Sequence, residues 1–194
     1  MKAAGLCPGI RFEETEVNGH VPIAERFIEE IKETARSVIH SLPYEIPRSW
    51  IPALVTFAVI RRNSVPNKNL GKKMTPREVL LGRKVNYKKD YALGFGDFVK
   101  LYKPNVKKNT MQRRSMDAIA LYPTGAANGA WVFLHLETMH RVVRSWWRVE
   151  PLSDLTIAFL NNQAAVEEAA QQRRGNHRDA DIFGDVPAIP ADDV

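Results

Sequence analysis

The chain has 194 residues, 44% of them hydrophobic and 26% charged, with a formal net charge of +6. That is enough apolar material to bury a core in one or two small domains. It holds no run of about 18 apolar residues, which a membrane helix needs. The first residues, MKAAGLCPGIRFEE, lack the apolar stretch of a secretory signal. The single Cys7 excludes an internal disulfide framework and a cysteine-rich zinc site, and suits a reducing compartment. The charge is uneven: residues 61–114 hold sixteen Lys and Arg against three Asp and Glu, whereas 175–194 hold one Arg and five Asp. A basic middle with an acidic end points to a polyanion as the partner of the middle, a solvated basic surface being the plainer alternative.

In chain order, IRFEETEV over 10–17 alternates well enough for a strand, and Asn18-Gly19 breaks it. Pro22 suits a first helical position, where its missing N–H costs nothing. From there Ala24, Phe27, Ile28, Ile31, Ala35, Val38, Ile39 and Leu42 recur at helical spacing, which predicts a helix with one buried stripe that Pro43 stops. A second helix is predicted from about Pro47 to Arg62. It is apolar on most sides and so buried against the first, with Pro52 tolerable only in its first turn. Residues 63–73 form a polar, basic loop. Thr75-Pro76-Arg77-Glu78 combines a cap, a proline at the first position and a capping-box Glu. Gly82 sits where that short helix ends. After Gly94 the period alternates. Strands are predicted over 95–102, 118–122, 131–136 and 141–149, with turn chemistry at Pro123-Thr124-Gly125 and Asn128-Gly129. So many short strands suggest a small β-barrel or meander. A last helix is predicted over 157–174, and the acidic end beyond 175 is expected to be disordered. The organisation expected is therefore helical over 1–93, a small barrel over 94–152, and a helix with an acidic tail over 153–194.

Glu25 is the one acid placed for chemistry. In a helix, Glu29, Lys32 and Arg36 follow it on the same face. A carboxylate with cations further along the face suits a divalent ion held against a phosphodiester. The plainer reading is that Glu25 favours the helix dipole while Lys32 and Arg36 solvate an outer face. The five His residues are scattered without the spacing of a zinc helix. Gly94-Phe95-Gly96 is too short for a phosphate loop. Trp146-Trp147 beside Arg144 and Arg148 could stack on bases, or place one ring inside and one outside, as strand neighbours do.

Taken together, the runs GHVPIAERFIEEIKETARSVIHSLP, VIRRNSVPNK, TPREVLLGRKVNYKKD and FGDFVKLYKP resemble the polyprotein of copia-type retrotransposons. The likeness is to the end of the integrase catalytic core and the region after it, over roughly 10–152. The resemblance implies an α+β architecture: the last helices of a ribonuclease-H-like core, then a Src-homology-3-like barrel. It implies that Glu25, before Arg26, is the final acid of an Asp-Asp-Glu site binding Mg²⁺ or Mn²⁺. Asn18-Gly19 matches the family's Asn-Gly, and Thr75, Pro76, Glu78 and Gly82 match its later motif. DNA is the implied partner, with Lys32 and Arg36 nearest the metal. Lys84, Lys88, Lys89, Arg113 and Arg114, in the basic stretch, would make phosphate contacts independent of sequence. Other integrase subunits or the remainder of the core are the implied protein partners. A nuclear location follows from the resemblance, the cytoplasm being the alternative; secretion is not expected.

The sequence also departs from the family. Only 24 residues precede Glu25, no Asp occurs before Asp90, and the family's His/Cys zinc module has no counterpart. Two-metal phosphoryl transfer holds two ions about 4 Å apart among several carboxylates. This chain alone is therefore expected not to join or cut DNA. Two other readings stay open at this point: a nucleic-acid or protein binding module without catalysis, and a degenerate transposon remnant. The remnant reading predicts poor stability from helix faces left without a sheet to pack on.

Overall fold

A computed structural model describes residues 21–66, 74–103, 111 and 113–173. The expected strand over 10–17, Asn18-Gly19, residues 67–73 of the basic loop and the acidic end beyond 175 lie outside the described residues.

Helix α1, Pro22–Ser41, begins with its proline in the first turn and ends where Leu42 turns extended ahead of Pro43. Only the second half of its apolar stripe is covered. Ala35 is fully buried, and Val38, Ile39 and Leu42 pack on the core, while Ile23, Phe27 and Ile28 remain exposed. A 3₁₀ turn, Arg48–Trp50, leads into α2, Ile51–Asn63, and Pro52 falls in the first turn of α2. Helix α2 packs against α1 on one side and the sheet on the other, which explains its lack of a polar face. Ala53, Leu54, Phe57 and Ala58 are all buried.

Two arginines fasten the end of α2. Arg62 Nε donates to Glu30 Oε2 at 2.8 Å, and its guanidinium lies 3.9 Å from the Phe27 ring. The Arg61 guanidinium lies 4.7 Å from the Phe57 ring centroid and 3.9 Å from that of Tyr91, and its Nη2 donates to Leu93 O at 2.6 Å. Helices α3, Pro76–Leu81, and α4, Tyr87–Asp90, follow. The sequence reading did not anticipate α4, whose four residues are too few for a periodic signal.

The five strands are β1 Phe98–Tyr102, β2 Ser115–Pro123, β3 Trp131–His135, β4 Arg141–Arg144 and β5 Trp147–Val149. They form one antiparallel sheet in the order β4-β3-β2-β1-β5. The single strand expected over 141–149 is thus two strands on opposite edges. Only Ser145 and Trp146 separate them, so three virtual bonds of about 3.8 Å bound the Arg144–Trp147 separation at about 11 Å. A flat five-stranded sheet would hold its edges about 19 Å apart, so the sheet must curl strongly. Accordingly Trp147 of β5 packs against Trp131 and Phe133 of β3, with ring centroids 6.4 and 5.7 Å apart. No ladder joins β4 to β5 among the described residues, so the described sheet is open, and closure into the expected small barrel is not shown.

Helix α5, Asp154–Arg173, starts earlier than the apolar pattern predicted, because Ser153 Oγ accepts from Thr156 N at 3.2 Å and caps it. It buries Leu160 and Ala164. Its Asn161 Oδ1 accepts from Glu45 N, and its Glu167 accepts from Ser49 N and Oγ, each at 2.8 Å. One hydrophobic cluster runs from Ala35 and Leu54 through Phe95, Val99 and Phe133 to Leu160, so helices and sheet share a core.

Gly96 sits at the seam between them. Its φ is +90°, and a Cβ there would overlap Leu42 Cδ2 and come within 2.8 Å of Tyr44 Oη. The Tyr44 hydroxyl donates to Gly96 O at 2.8 Å, and burial pushes its pKa well above the ordinary phenol value. Gly96→Ala should therefore cost more than about 2 kcal/mol, combining left-handed strain with overpacking. Tyr44→Phe should cost about 1 kcal/mol through the lost hydrogen bond. Urea unfolding of the three proteins measures both, and a Gly96→Ala variant as stable as the parent would contradict this packing.

Candidate nucleic-acid interface

The basic segment between α3 and β1 is held by one carboxylate. Thr75 Oγ1 accepts from Glu78 N at 3.1 Å, and Glu78 Oε2 accepts from Thr75 N at 3.0 Å, completing the capping box expected from the sequence. The other oxygen, Oε1, accepts from Val85 N at 3.0 Å. Glu78 thereby fixes both the start of α3 and the loop beyond Gly82, which ends the helix in the left-handed conformation at φ +66°. The backbone donors Thr75 and Val85 hold the Glu78 carboxyl below its ordinary pKa of 4.5. Asn86 Oδ1 then accepts from Lys89 N at 3.3 Å and caps α4.

Helix α4 turns Asp90 inward and leaves Lys88 and Lys89 exposed. Asp90 Oδ2 meets Arg77 Nη1 at 3.5 Å, with both side chains about nine-tenths buried. Arg77 Nη1 also lies 3.4 Å from Ser64 Oγ. Its guanidinium rests on Gly125, where any Cβ would overlap Nη2. Two further bonds anchor the segment: Tyr87 Oη donates to Ser64 O at 3.2 Å, and Trp131 Nε1 donates to Lys89 O at 2.9 Å. The result is a rigid frame joining the end of α2, helices α3 and α4, and the β2–β3 turn.

A pocket of about 210 Å³ opens within this frame, between Arg77, Arg83, Lys84, Asn86, Asp90 and the turn at 125–127. Arg83, Lys84 and Lys88 are exposed and make no ion pair among the described residues. Lys89 lays its alkyl chain beside Gly129, and its Nζ lies 3.5 Å from Ala127 O. Residues 77–90 carry five cations against two carboxylates. Both carboxylates are engaged in holding the frame, so the outward field is positive.

The structure divides the predicted site residues among three places. Lys84, Lys88 and Lys89 share the α3–α4 face. Glu25, Lys32 and Arg36 lie on α1, with Glu25 and Arg36 exposed and Lys32 half-buried, and none of them lines the pocket. Arg113 and Arg114 precede β2, at the opposite end of a nine-residue strand from the 125–127 turn, about 30 Å away along the strand. Arg113 Nη2 also contacts both carboxylate oxygens of Asp117, at 2.7 and 2.6 Å. Trp146 is exposed and Trp147 is tucked inside the sheet; one ring is in and one out, as expected, but Trp146 lies in the connection before β5 and not on a strand. Sequence reading missed Arg77, Asn86, Asp90 and Gly125. The capping box located Arg77 on a helix, but nothing local linked it to Asp90 or to the turn.

Among the described residues, no three His, Cys, Asp or Glu side chains are grouped as a metal site requires. Glu25 alone does not provide the ligand set of a two-metal centre. No family model, curated protein or solved structure matches this chain.

Glu78 gives a pH test. Its folded-state pKa is depressed, so its stabilisation is present above the unfolded value of about 4.5 and is lost as pH falls through the folded value. Glu78→Gln should be less stable than the parent at pH 7. The difference between their urea midpoints should shrink by pH 3, because groups common to both proteins cancel. A difference that stays constant with pH would contradict the assigned bonds.

Proposed function

We propose that this chain is a nucleic-acid-binding module from the end of a copia-type integrase region, gripping a DNA backbone without reading its sequence. The observation that carries this reading is the α3–α4 face, where Arg83, Lys84 and Lys88 stand outward, with Lys89 lying along the 127–129 turn, on a frame fixed by Glu78 and by the Arg77–Asp90 pair. A fixed backbone frame spares the cost of ordering the chain when its exposed cations meet phosphates. The order of the four sequence motifs supports the family. So does the strand order β4-β3-β2-β1-β5 on a strongly curled sheet, the arrangement a Src-homology-3-like unit needs when its last two strands are joined by two residues. In this reading α1 and α2 are the last helices of a ribonuclease-H-like core. Glu25 is then the last acid of a site that would hold Mg²⁺ or Mn²⁺ in an intact parent. No catalytic step is assigned to the chain itself.

The exposed Ile23, Phe27 and Ile28 on α1 favour a protein partner as well, either the remainder of that core or another integrase subunit. No helix among the described residues is long and apolar enough to cross a membrane. A nuclear location belongs to the same reading.

Binding to a short DNA duplex, followed by fluorescence anisotropy across salt concentrations, tests the proposal. The logarithm of affinity should fall linearly with the logarithm of salt, equally for unrelated sequences and without added metal. Lys84→Ala with Lys88→Ala should lower the slope by about two, close to 0.9 per phosphate contact. Arg113→Ala should leave the slope unchanged, because that guanidinium is engaged by Asp117. Salt-independent binding, or an unchanged slope in the double variant, would overturn the assignment.

A further inference from the structure

We infer that the pocket between α3, the 83–86 loop and the β2–β3 turn is a receptacle for one phosphate group of a nucleic-acid backbone, which fixes where the strand lies on the protein. The inference rests on the nucleic-acid reading above and adds to it a defined seat. The floor is Arg77, nine-tenths buried and braced by Asp90, Ser64 and Gly125. That internal pair keeps the floor stiff and close to neutral, so a charge placed above it does not meet an uncompensated carboxylate. The rim supplies the attraction. Arg83 and Lys84 border the opening from the α3 side; neither forms an ion pair among the described residues, and Lys84 stands near enough to Glu78 to help lower its pKa. A guanidinium and an ammonium together suit the several oxygens of a phosphate better than a single point charge would.

The form of the pocket selects the source of the phosphate. A volume of about 210 Å³ holds a phosphate group together with part of the sugar attached to it, and a separate apolar pocket lined by Val79, Leu80 and Leu81 lies on the other side of Arg77. Its cations are exposed, so attraction for a lone anion is weakened by solvent and salt. A polymer overcomes this because its neighbouring phosphates meet Lys88 and Lys89 on the adjacent α4, and the contacts then act together. Glycine at 125 is required on the same grounds: its φ is +74°, and a side chain there would displace the Arg77 guanidinium from the floor.

The test uses the full chain labelled with ¹⁵N, inorganic phosphate and a short DNA oligonucleotide as probes, and opposite charges placed at Ala126. That residue is exposed on the pocket wall, and its hydrogen bonds, to Thr124 Oγ1 and from Gly129 N, are made by its backbone. Both probes should shift the amides of 83–86 and 125–127. Ala126→Glu should weaken oligonucleotide binding about tenfold and lower the salt slope by about one, whereas Ala126→Lys should tighten binding. If the oligonucleotide binds without moving those amides, or if Glu and Lys at 126 weaken it equally, the pocket is not a phosphate seat, while the nucleic-acid reading survives. If phosphate moves the amides and no oligonucleotide binds, a small phosphorylated molecule is the ligand and both proposals fall. They also fall if neither probe binds.

Discussion

Everything in this molecule is arranged around the burial of α2. A helix apolar on most of its surface must bury more than one side, and of the residues of α2 only Pro52 and Thr56 are exposed. Helix α1 covers one side and the sheet covers another. Phe57 meets Phe95 at a centroid distance of 5.8 Å just ahead of β1, and the Arg61 guanidinium bonds to Leu93 O in the same connection. Desolvation lowers the Arg61 pKa, and the neighbouring Tyr91 and Asp97 act against that shift. This arginine belongs to the packing of the fold. It is one of the sixteen cations that, on composition alone, looked available to a polyanion.

That distinction recurs across the basic stretch. Arg62 is held by Glu30 and Phe27, Arg77 by Asp90 and Ser64, and Arg113 by Asp117. Arg61, Arg62 and Arg77 close contacts between elements, whereas Arg113 is paired locally at the start of β2. Arg83, Lys84 and Lys88 project from the surface that those contacts stiffen. The positive field available to a ligand is therefore narrower than the local excess of charge, and it is concentrated on α3–α4. Glu78 and Asp90, the acids within that segment, set its shape without cancelling its outward charge.

The sheet imposes a second constraint. Because two residues carry the chain from the β4 edge to the β5 edge, the strands must roll until those edges approach. Trp147 then fills the space inside, against Trp131 and Phe133. The curl also places the β2–β3 turn beside α3 and α4, where Gly125 and Gly129 leave room for Arg77 and Lys89.

Local chemistry was legible in the sequence. The apolar period and the two prolines placed α1 and α2 to within a few residues. Thr75, Pro76, Glu78 and Gly82 specified α3 with both of its ends. Alternation after Gly94 located β1 to β3, because each of these signals depends on neighbours within one or two turns of the same segment. The split of 141–149 into two edge strands was not legible, since strand pairing is decided by partners dozens of residues away. Nor was the meeting of Arg77 with Asp90 and Gly125, which belong to three separate elements. The sequence by itself determined where the positive charge lies and which segments are helix or strand. Only the tertiary structure decided which cations are locked into the fold and which face outward, because that depends on where a neutralising carboxylate or a ring from a distant segment comes to rest.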